Sequence, residues 1–209
     1  MQTQFPNLLT LSRIVAIPLL VGTFYLDSPY GNWIGLGVLV YAGVSDFFDG
    51  YLARSWEVQS RFGRALDPIA DKLLVSAVLL MLVGFDRIAG LAILPAVVIL
   101  CREILVSGLR EFLAEIRVGM PVTRLAQWKT TVQFLAIGFL IVGPAGPHFG
   151  PFSTTEVGDF GLWIAAVFTL VTGYDYLRAG SKHMDMDAAS ERAAAREIPP
   201  ANDAGKDAA

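Results

Sequence analysis

Residues 46–71, DFFDGYLARSWEVQSRFGRALDPIAD, place carboxylates beside segments that are otherwise as apolar as lipid-buried helices. Four aspartates stand in or next to these segments: Asp46, Asp49, Asp67 and Asp71. One Asp within a transmembrane helix costs on the order of 2.5–3.5 kcal/mol, so carboxylates at membrane depth usually have a functional reason. The stretch therefore combines the signature of a membrane fold with that of a candidate site.

The composition of the chain is typical of an integral membrane protein. Of its 209 residues, 54% are hydrophobic, and the mean hydropathy is +0.53. Average soluble domains reach roughly 45–50% apolar residues only when glycine is included. The single cysteine, Cys101, lies in an apolar run, so disulfides cannot form the framework and packing is its expected role.

The apolar residues are grouped into segments of helix length. A bilayer core of roughly 30 Å needs about 20 mostly apolar residues per helix, and six segments approach this, at about residues 7–26, 32–54, 65–85, 87–113, 123–143 and 157–178. From about residue 185 the sequence turns to Ala, Asp, Glu, Arg and Pro without apolar periodicity. We therefore predict an all-α, six-transmembrane-helix bundle in residues 1–184 and a disordered cytoplasmic tail in residues 185–209.

The basic residues predict the orientation of this bundle. The connections after the second and fourth segments are rich in arginine: Arg54, Arg61, Arg64, Arg117 and the neighbouring Arg124. The connections after the first, third and fifth segments contain only Arg87 among Lys and Arg residues, whereas the end of the sixth segment and the tail add Arg178, Lys182, Arg192, Arg196 and Lys206. Cytoplasmic loops carry the excess of Lys and Arg. Both termini are therefore predicted to be cytoplasmic, with the aspartates near the cytoplasmic ends of segments two and three.

The spacing of the aspartates predicts that they converge. Asp46 and Asp49 are three residues apart and Asp67 and Asp71 are four apart, so each pair lies on one face of its helix. An antiparallel hairpin would bring the two pairs together, and their mutual repulsion would require a cation. Hard divalent ions that prefer oxygen ligands are the natural candidates. The alternative is that the carboxylates cap helices or pair with nearby cations: Arg54, Arg61, Arg64 and Lys72.

The same stretch carries a resemblance to a known family. It contains D-x-x-D-G-x-x-A-R, eight further residues, and then G-x-x-x-D-x-x-x-D. This pattern resembles the motif of the CDP-alcohol phosphotransferases, which are integral membrane enzymes. Residues 6–20 (PNLLTLSRIVAIPLL), 101–115 (CREILVSGLREFLAE) and 128–133 (WKTTVQ) are similar to the bacterial phosphatidylglycerophosphate synthase branch of that family.

The resemblance implies an activity and a location. It implies transfer of the phosphatidyl group of CDP-diacylglycerol to an alcohol, here sn-glycerol 3-phosphate, with release of CMP. Inositol phosphate, serine and phosphatidylglycerol remain alternative acceptors. It further implies a homodimer in a bacterial inner membrane, in contact with membrane lipids and with no nucleic-acid partner. The polar cavity would open both to the cytoplasm and to the lipid, because the acyl chains of the donor must stay in the bilayer.

The resemblance also assigns roles to the motif residues. Asp46, Asp49 and Asp67 would hold one or two Mg²⁺ or Mn²⁺ ions, and Asp71 would share in the second site. Asp71 is in addition the candidate general base for the attacking hydroxyl. The contacts to the CDP donor would come from Asp46 and Asp49 and from small and polar residues around the motif and on the first helix: Gly50, Ala53, Arg54, Ser60, Gly63, Asn7, Thr10 and Arg13.

Several of these donor residues have a plainer explanation. Gly50 and Ala53 would also serve helix packing, for which small side chains are equally suited. Asn7 and Thr10 are residue types that cap helix N-termini, and a loop serine such as Ser60 needs no function. Their assignment to the donor site is therefore made on the resemblance.

Recognition of a phosphorylated acceptor requires fixed positive charge. Arg102 and Arg110 are eight residues apart, about two helical turns, and so share one face of the fourth segment. Lys129, near the start of the fifth segment, is positioned to join them. We predict that these three residues bind the acceptor phosphate. The alternatives are pairing with Glu103 or Glu111, or snorkelling of Arg110 and Lys129 to the membrane interface.

A different functional class is also compatible with carboxylates in a membrane. Cation or proton-coupled transporters use such groups as relays. A relay predicts acidic residues distributed along a path across the membrane, whereas here the four aspartates are gathered at one end of their segments. The distribution favours the enzyme.

Overall fold

The computed structural model describes the backbone of residues 4–56, 61–115 and 124–197. Side-chain surroundings are described for residues 11–46, 66, 68–114, 125, 128–174 and 176–178. The described chain forms six α-helices: α1 Gln4–Thr23, α2 Tyr30–Trp56, α3 Arg61–Gly84, α4 Ile93–Glu115, α5 Arg124–Val142 and α6 Thr154–Glu197. Within these ranges there is no strand, only an isolated antiparallel bridge between Phe149 and Phe152. The all-α class predicted from the sequence is confirmed.

The fourth helix begins later than its apolar run predicts. It was expected from residue 87, but α4 starts at Ile93 after a short 3₁₀ turn, Gly90–Ala92. Gly90, inside the predicted segment, has a positive φ of 56°. A right-handed helix does not continue through a residue in that conformation. Residues 87–92 lie in the predicted apolar segment but belong to the connection between α3 and α4 and not to α4 itself.

The sixth helix is longer than its apolar segment. It was predicted over residues 157–178 but runs from Thr154 to Glu197. Its start is fixed by Ser153, whose backbone N–H donates to Glu156 Oε2 at 2.7 Å while the Glu156 N–H donates to Ser153 Oγ at 3.2 Å. This reciprocal pairing is a capping box. Residues 198–209 lie outside the described residues, and the tail boundary near residue 185 stays a prediction.

Three described stretches are long and apolar enough to cross a membrane by length and composition: Gly90–Ala114, Trp128–Ala145 and Thr154–Arg178. Large apolar side chains on them face outward, for example Leu94, Leu135 and Leu170, each more than half exposed. Such exposure suits contact with lipid, because a bilayer solvates apolar side chains. The chain thus has the character of a helical membrane protein.

The helices pack around one apolar core. α5 packs along α6 and also contacts α2, while α4 contacts α6, and α1 contacts both α2 and α3. Leu20, Leu39, Val78, Ile99, Ile137, Leu140 and Leu162 are buried in this core. Small residues allow the closest approach between helices: a Cβ on Gly161 would lie 3.0 Å from Ala136 Cβ. Close backbone approach of this kind is how helices associate in lipid.

Polar contacts join the helices at the end of the bundle remote from Asp46. Asn32 Nδ2 donates to the carbonyl of Val142 at 2.9 Å, and Arg87 Nη2 donates to Asn32 Oδ1 at 3.1 Å. Gly143 follows with φ of 50°, and a Cβ there would collide with the Arg87 guanidinium. The start of α2, the end of α5 and the α3–α4 connection are thereby tied together.

The contact between α5 and α6 generates a stability prediction. A Cβ on Gly158 would lie 2.7 Å from Leu140 Cγ and 3.1 Å from the Leu140 backbone nitrogen. Overpacking of this kind costs about 1–3 kcal/mol, so Gly158→Ala should lower the midpoint of thermal unfolding in detergent. Gly37→Ala is the matched control, because nothing lies within 4 Å of a Cβ there. Equal midpoints for the two variants would contradict this account of the helix contact.

Candidate active site

A cavity of about 750 Å³ lies between the helices and contains charges of both signs. Its charged lining residues come from α2, α3, α4 and α5: Asp46, Asp71, Lys72, Arg102, Glu103, Arg110, Glu111 and Lys129. Charged residues are costly in a membrane protein and usually mark a substrate or ion pathway. Their collection in one cavity therefore marks a candidate site.

An arginine from the first helix joins the aspartates of the second and third. Arg13 Nη1 lies 2.8 Å from Asp46 Oδ1 and 2.8 Å from Asp71 Oδ1. The Arg13 side chain is fully buried, whereas the two carboxylate side chains are 50% and 51% exposed. A buried guanidinium needs anionic partners, since an isolated buried charge is strongly unfavourable. Arg13 thus holds the two carboxylates together at the cavity wall.

The convergence of the aspartates is achieved through α1. The sequence predicted a direct hairpin of segments two and three, but among the described residues the helix contacts run from α1 to α2 and from α1 to α3. The resemblance places Arg13 at the CDP donor, and the sequence does not predict its pairing with the aspartates. Lys72, a predicted alternative partner of the aspartates, donates to the carbonyl of Pro68 at 2.7 Å. The side chains of Asp49 and Asp67 lie outside the described residues.

The basic part of the cavity is formed by α4 and α5. Lys129 is 4% exposed and donates a hydrogen bond to Glu103 Oε1. Arg102 Nη1 lies 3.7 Å from the same Glu103 oxygen. Glu103 is therefore a shared partner of two of the three cations predicted to bind the acceptor phosphate. Arg110, the third, is exposed and lines the same cavity.

Cations exceed anions in this basic part of the cavity. Arg102 and Arg110 of α4 and Lys129 of α5 line this part of the cavity with the carboxylates of Glu103 and Glu111, while Lys72 of α3 has Asp71 as its neighbouring carboxylate. Two carboxylates do not neutralise three cations. The surplus positive charge makes this part of the cavity suitable for a dianion such as a phosphate monoester.

The sixth helix also contributes to the cavity, which the sequence did not predict. Tyr176 lines it, and the Arg102 guanidinium carbon lies 5.5 Å from the centre of the Tyr176 ring. Gln133 of α5 lines it as well and is buried, and its Oε1 has no hydrogen-bond partner among the described residues. For Gln133, the only sign of a place in the cavity that the sequence offered was a polar residue within an otherwise apolar helix.

Several predicted donor-binding positions lie outside the residues with described surroundings. Ser60 lies outside the described backbone altogether. The others belong to α1, α2 and α3, but nothing is described around them: Asn7, Thr10, Gly50, Ala53, Arg54 and Gly63. Their assignment to the donor stays a prediction.

The described carboxylates suit a hard divalent cation. The Oδ1 atoms of Asp46 and Asp71 share one cationic partner, so the two oxygens already converge on one point. Carboxylate oxygens are the ligands that Mg²⁺ and Mn²⁺ prefer. Among the described residues there is no group of three or more Asp, Glu, His or Cys side chains arranged for a metal. The donor chemistry fits a divalent ion, and Asp49 and Asp67 would have to complete the set.

Comparison with known proteins agrees with this chemistry. The family model described as CDP-alcohol phosphatidyltransferase matches residues 3–171. A Rickettsia bellii protein named CDP-diacylglycerol–glycerol-3-phosphate 3-phosphatidyltransferase is 46% identical over 85% of this chain and 96% of its own length. Proteins of the same name are 38% identical in Cereibacter sphaeroides, over 85% of this chain and 96% of theirs, and 40% identical in Pectobacterium atrosepticum, over 86% and 96%.

The matched region begins before α1 and ends at residue 171 within α6, and it contains the aspartate motif of residues 46–71. Identities near 40% over most of both chains go beyond a shared fold. Together with the motif, they establish that this chain belongs to the CDP-alcohol phosphatidyltransferase family.

Proposed function

We propose that this protein transfers the phosphatidyl group of CDP-diacylglycerol to sn-glycerol 3-phosphate, forming phosphatidylglycerophosphate and releasing CMP. The observation that carries the proposal is a single cavity that joins Asp46 and Asp71 with a cluster of surplus cations. The names of the relatives from three bacteria support the same reaction. Family membership favours an enzyme over a transporter.

The division of charge in the cavity suits two anionic substrates. The diphosphate of the donor and the phosphate of the acceptor repel each other, most strongly in a low-dielectric site. Arg102, Arg110 and Lys129 would hold the acceptor phosphate at the basic part of the cavity. The acceptor hydroxyl, at the other end of a three-carbon alcohol, would then extend toward Asp71. Fixing both reactants in this way replaces an encounter in solution with a positioned reaction.

Asp71 is the proposed general base. Its carboxylate is half exposed to the cavity and is oriented by Arg13, so it is both accessible to a hydroxyl and fixed in direction. It would accept the proton of the glycerol hydroxyl as that oxygen attacks the lipid-side phosphorus. The bond between that phosphorus and the bridging oxygen of the diphosphate breaks as the new ester bond forms, and the bridging oxygen leaves with CMP. General bases contribute typically about 10²–10⁴-fold to a rate.

Members of this family generally depend on a divalent metal ion. In this chain Asp46, Asp49, Asp67 and Asp71 would hold one or two Mg²⁺ or Mn²⁺ ions. Bound there, such an ion supplies charge neutralisation of the diphosphate and stabilises the departing oxygen of CMP. Asn7, Thr10, Arg13, Gly50, Ala53, Arg54, Ser60 and Gly63 would complete the donor site around the nucleotide.

The proposal includes an arrangement in the membrane. All six helices would span the inner membrane of a bacterium, with both termini and the mouth of the cavity on the cytoplasmic side, where the arginine-rich connections lie. The acyl chains of the donor would stay in the bilayer while its headgroup enters the cavity. The working unit would be a homodimer.

An acceptor screen tests the proposed reaction directly. Purified protein with CDP-diacylglycerol should release CMP when supplied with labelled sn-glycerol 3-phosphate, and the label should enter a lipid. Serine, inositol phosphate and phosphatidylglycerol should give no comparable transfer. Transfer to one of these alcohols but not to glycerol 3-phosphate would overturn the acceptor assignment while leaving the family assignment intact.

Metal removal tests the proposed dependence on a divalent ion. Chelation with EDTA should abolish CMP release, because the crowded carboxylates and the diphosphate would then lack their counter-charge. Adding excess Mg²⁺ or Mn²⁺ should restore it, whereas adding Na⁺ at equal ionic strength should not. Full activity in thoroughly chelated buffer would refute the metal-dependent account.

A substitution at Asp71 tests its proposed role as the general base. Asp71→Asn keeps the size of the side chain and an oxygen that can accept from Arg13, but the amide cannot take up a proton. Turnover should fall by about 10²–10⁴-fold, measured as CMP release in nanodiscs. Asp86→Asn is the matched control, since Asp86 is exposed outside the cavity and Asn tolerates its positive φ of 55°. Near-normal turnover of Asp71→Asn would remove Asp71 from the mechanism.

A further inference from the structure

Arg102 is held from one side by the sixth helix. Its Nη2 donates a hydrogen bond of 3.0 Å to Thr172 Oγ1, and its guanidinium carbon lies 5.5 Å from the centre of the Tyr176 ring. The Arg102 side chain is only 12% exposed. The Thr172 hydroxyl thus holds one edge of the guanidinium, and the Tyr176 ring lies beside the group.

The Thr172 hydroxyl is itself oriented to accept from the arginine. Thr172 is 1% exposed, and its Oγ1 lies 2.8 Å from the carbonyl of Phe168. A hydroxyl has one proton to donate and two lone pairs that accept. Because the proton is directed to the Phe168 carbonyl, a lone pair remains for the guanidinium. The threonine therefore acts as a fixed acceptor for Arg102.

The sequence of α6 makes room for this contact. Thr172 and Tyr176 are four residues apart and so lie on one face of the helix. Between them, a Cβ on Gly173 would come within 3.2 Å of Arg102 Cγ. The absence of a side chain at residue 173 lets the arginine stem pass against the helix backbone. Three positions on one face of α6 thus receive one side chain of α4.

The remaining edge of the guanidinium lies in the cavity. Arg102 lines it together with Lys129, Arg110 and Lys72, and its link to Glu103 is a long one, at 3.7 Å. Guanidinium groups bind phosphate through a planar fork, which requires the plane to face the ligand. A fork that is already held in place loses less conformational freedom when the ligand binds.

We propose that Thr172 and Tyr176 of α6 are positioning residues that orient the Arg102 guanidinium toward the phosphate monoester of the acceptor alcohol. This inference rests on the proposed function, since it requires a phosphorylated acceptor in the cavity. It extends that function to α6, which the sequence did not connect with acceptor binding. The specificity for a phosphorylated alcohol would then depend on a helix that need not touch the substrate.

The test compares Thr172→Val and Tyr176→Leu with wild type in steady-state kinetics. Thr172→Val removes the oriented acceptor and should raise KM for glycerol 3-phosphate about tenfold. Tyr176→Leu removes the aromatic face and should raise it about three- to tenfold. KM for CDP-diacylglycerol and kcat should stay near wild type, since a contact made equally in the ground and transition states changes KM alone.

Two controls separate positioning from general packing. Thr169→Val makes the same chemical change three residues earlier on α6, where the hydroxyl is buried and has no hydrogen-bond partner among the described residues. It should leave KM for glycerol 3-phosphate unchanged. Tyr176→Phe keeps the ring and should restore near-wild-type KM. Thermal unfolding midpoints close to that of wild type should accompany all of these kinetics.

A double-mutant cycle makes the test independent of small losses of stability. Arg102→Gln should raise KM for glycerol 3-phosphate, and adding Thr172→Val to it should cause no further increase, because the threonine acts only through the arginine. Additive effects, or an unchanged KM in both single variants of α6, would overturn the inference while leaving the proposed reaction standing. Wild-type protein that transfers only to unphosphorylated alcohols would overturn both.

Discussion

The ion pairs between Arg13 and the carboxylates of Asp46 and Asp71 are the constraint on which the arrangement of the site depends. Three helices each contribute one charge to this contact, at 2.8 Å on either side of a single guanidinium nitrogen. In an apolar environment any one of these charges alone would be strongly unfavourable. The contact therefore selects the packing in which α1 meets both α2 and α3, and with it the direction of the carboxylates.

In the other part of the cavity, formed by α4 and α5, positive charge is in excess. Around Arg102 and Lys129 the cations outnumber the carboxylates, and Glu103 is divided between two partners. A site that fully neutralised its own charges would have little affinity for an ionic substrate. In the proposed reaction the acidic part would hold a cation and the basic part an anion. Both parts line the same cavity.

The sequence was sufficient for the features that depend on local pattern. Six apolar runs predicted six helices, and the motif from Asp46 to Asp71 predicted the family. Of the four aspartates predicted to converge, Asp46 and Asp71 are seen to share Arg13, and the convergence of Asp49 and Asp67 stays a prediction. The predicted start of α4 was wrong because Gly90, inside the apolar run, has a left-handed backbone that the apolar pattern does not reveal. The contacts of Arg13 with Asp71 and of Arg102 with Thr172 were not predictable, because these partners lie 58 and 70 residues away in the chain. The residue type alone indicates that a buried arginine needs an anion or a hydrogen-bond acceptor. Which residue provides it depends on how the helices pack.

The burial of Arg13 in α1 has a consequence for how the chain is made. In the proposed arrangement, in which α1 spans the membrane, the first helix leaves the ribosome before Asp46 and well before Asp71, so both partners of its arginine are still absent when it reaches the membrane. A lone arginine at the centre of an inserting helix is unfavourable by roughly 2.5–3.5 kcal/mol. The first helix is therefore expected to remain at the entrance, or beside the insertion machinery, until the third helix has been delivered. The pairing of Asp46 and Asp71 with Arg13 and the stable integration of the N-terminal helix would then be one and the same event.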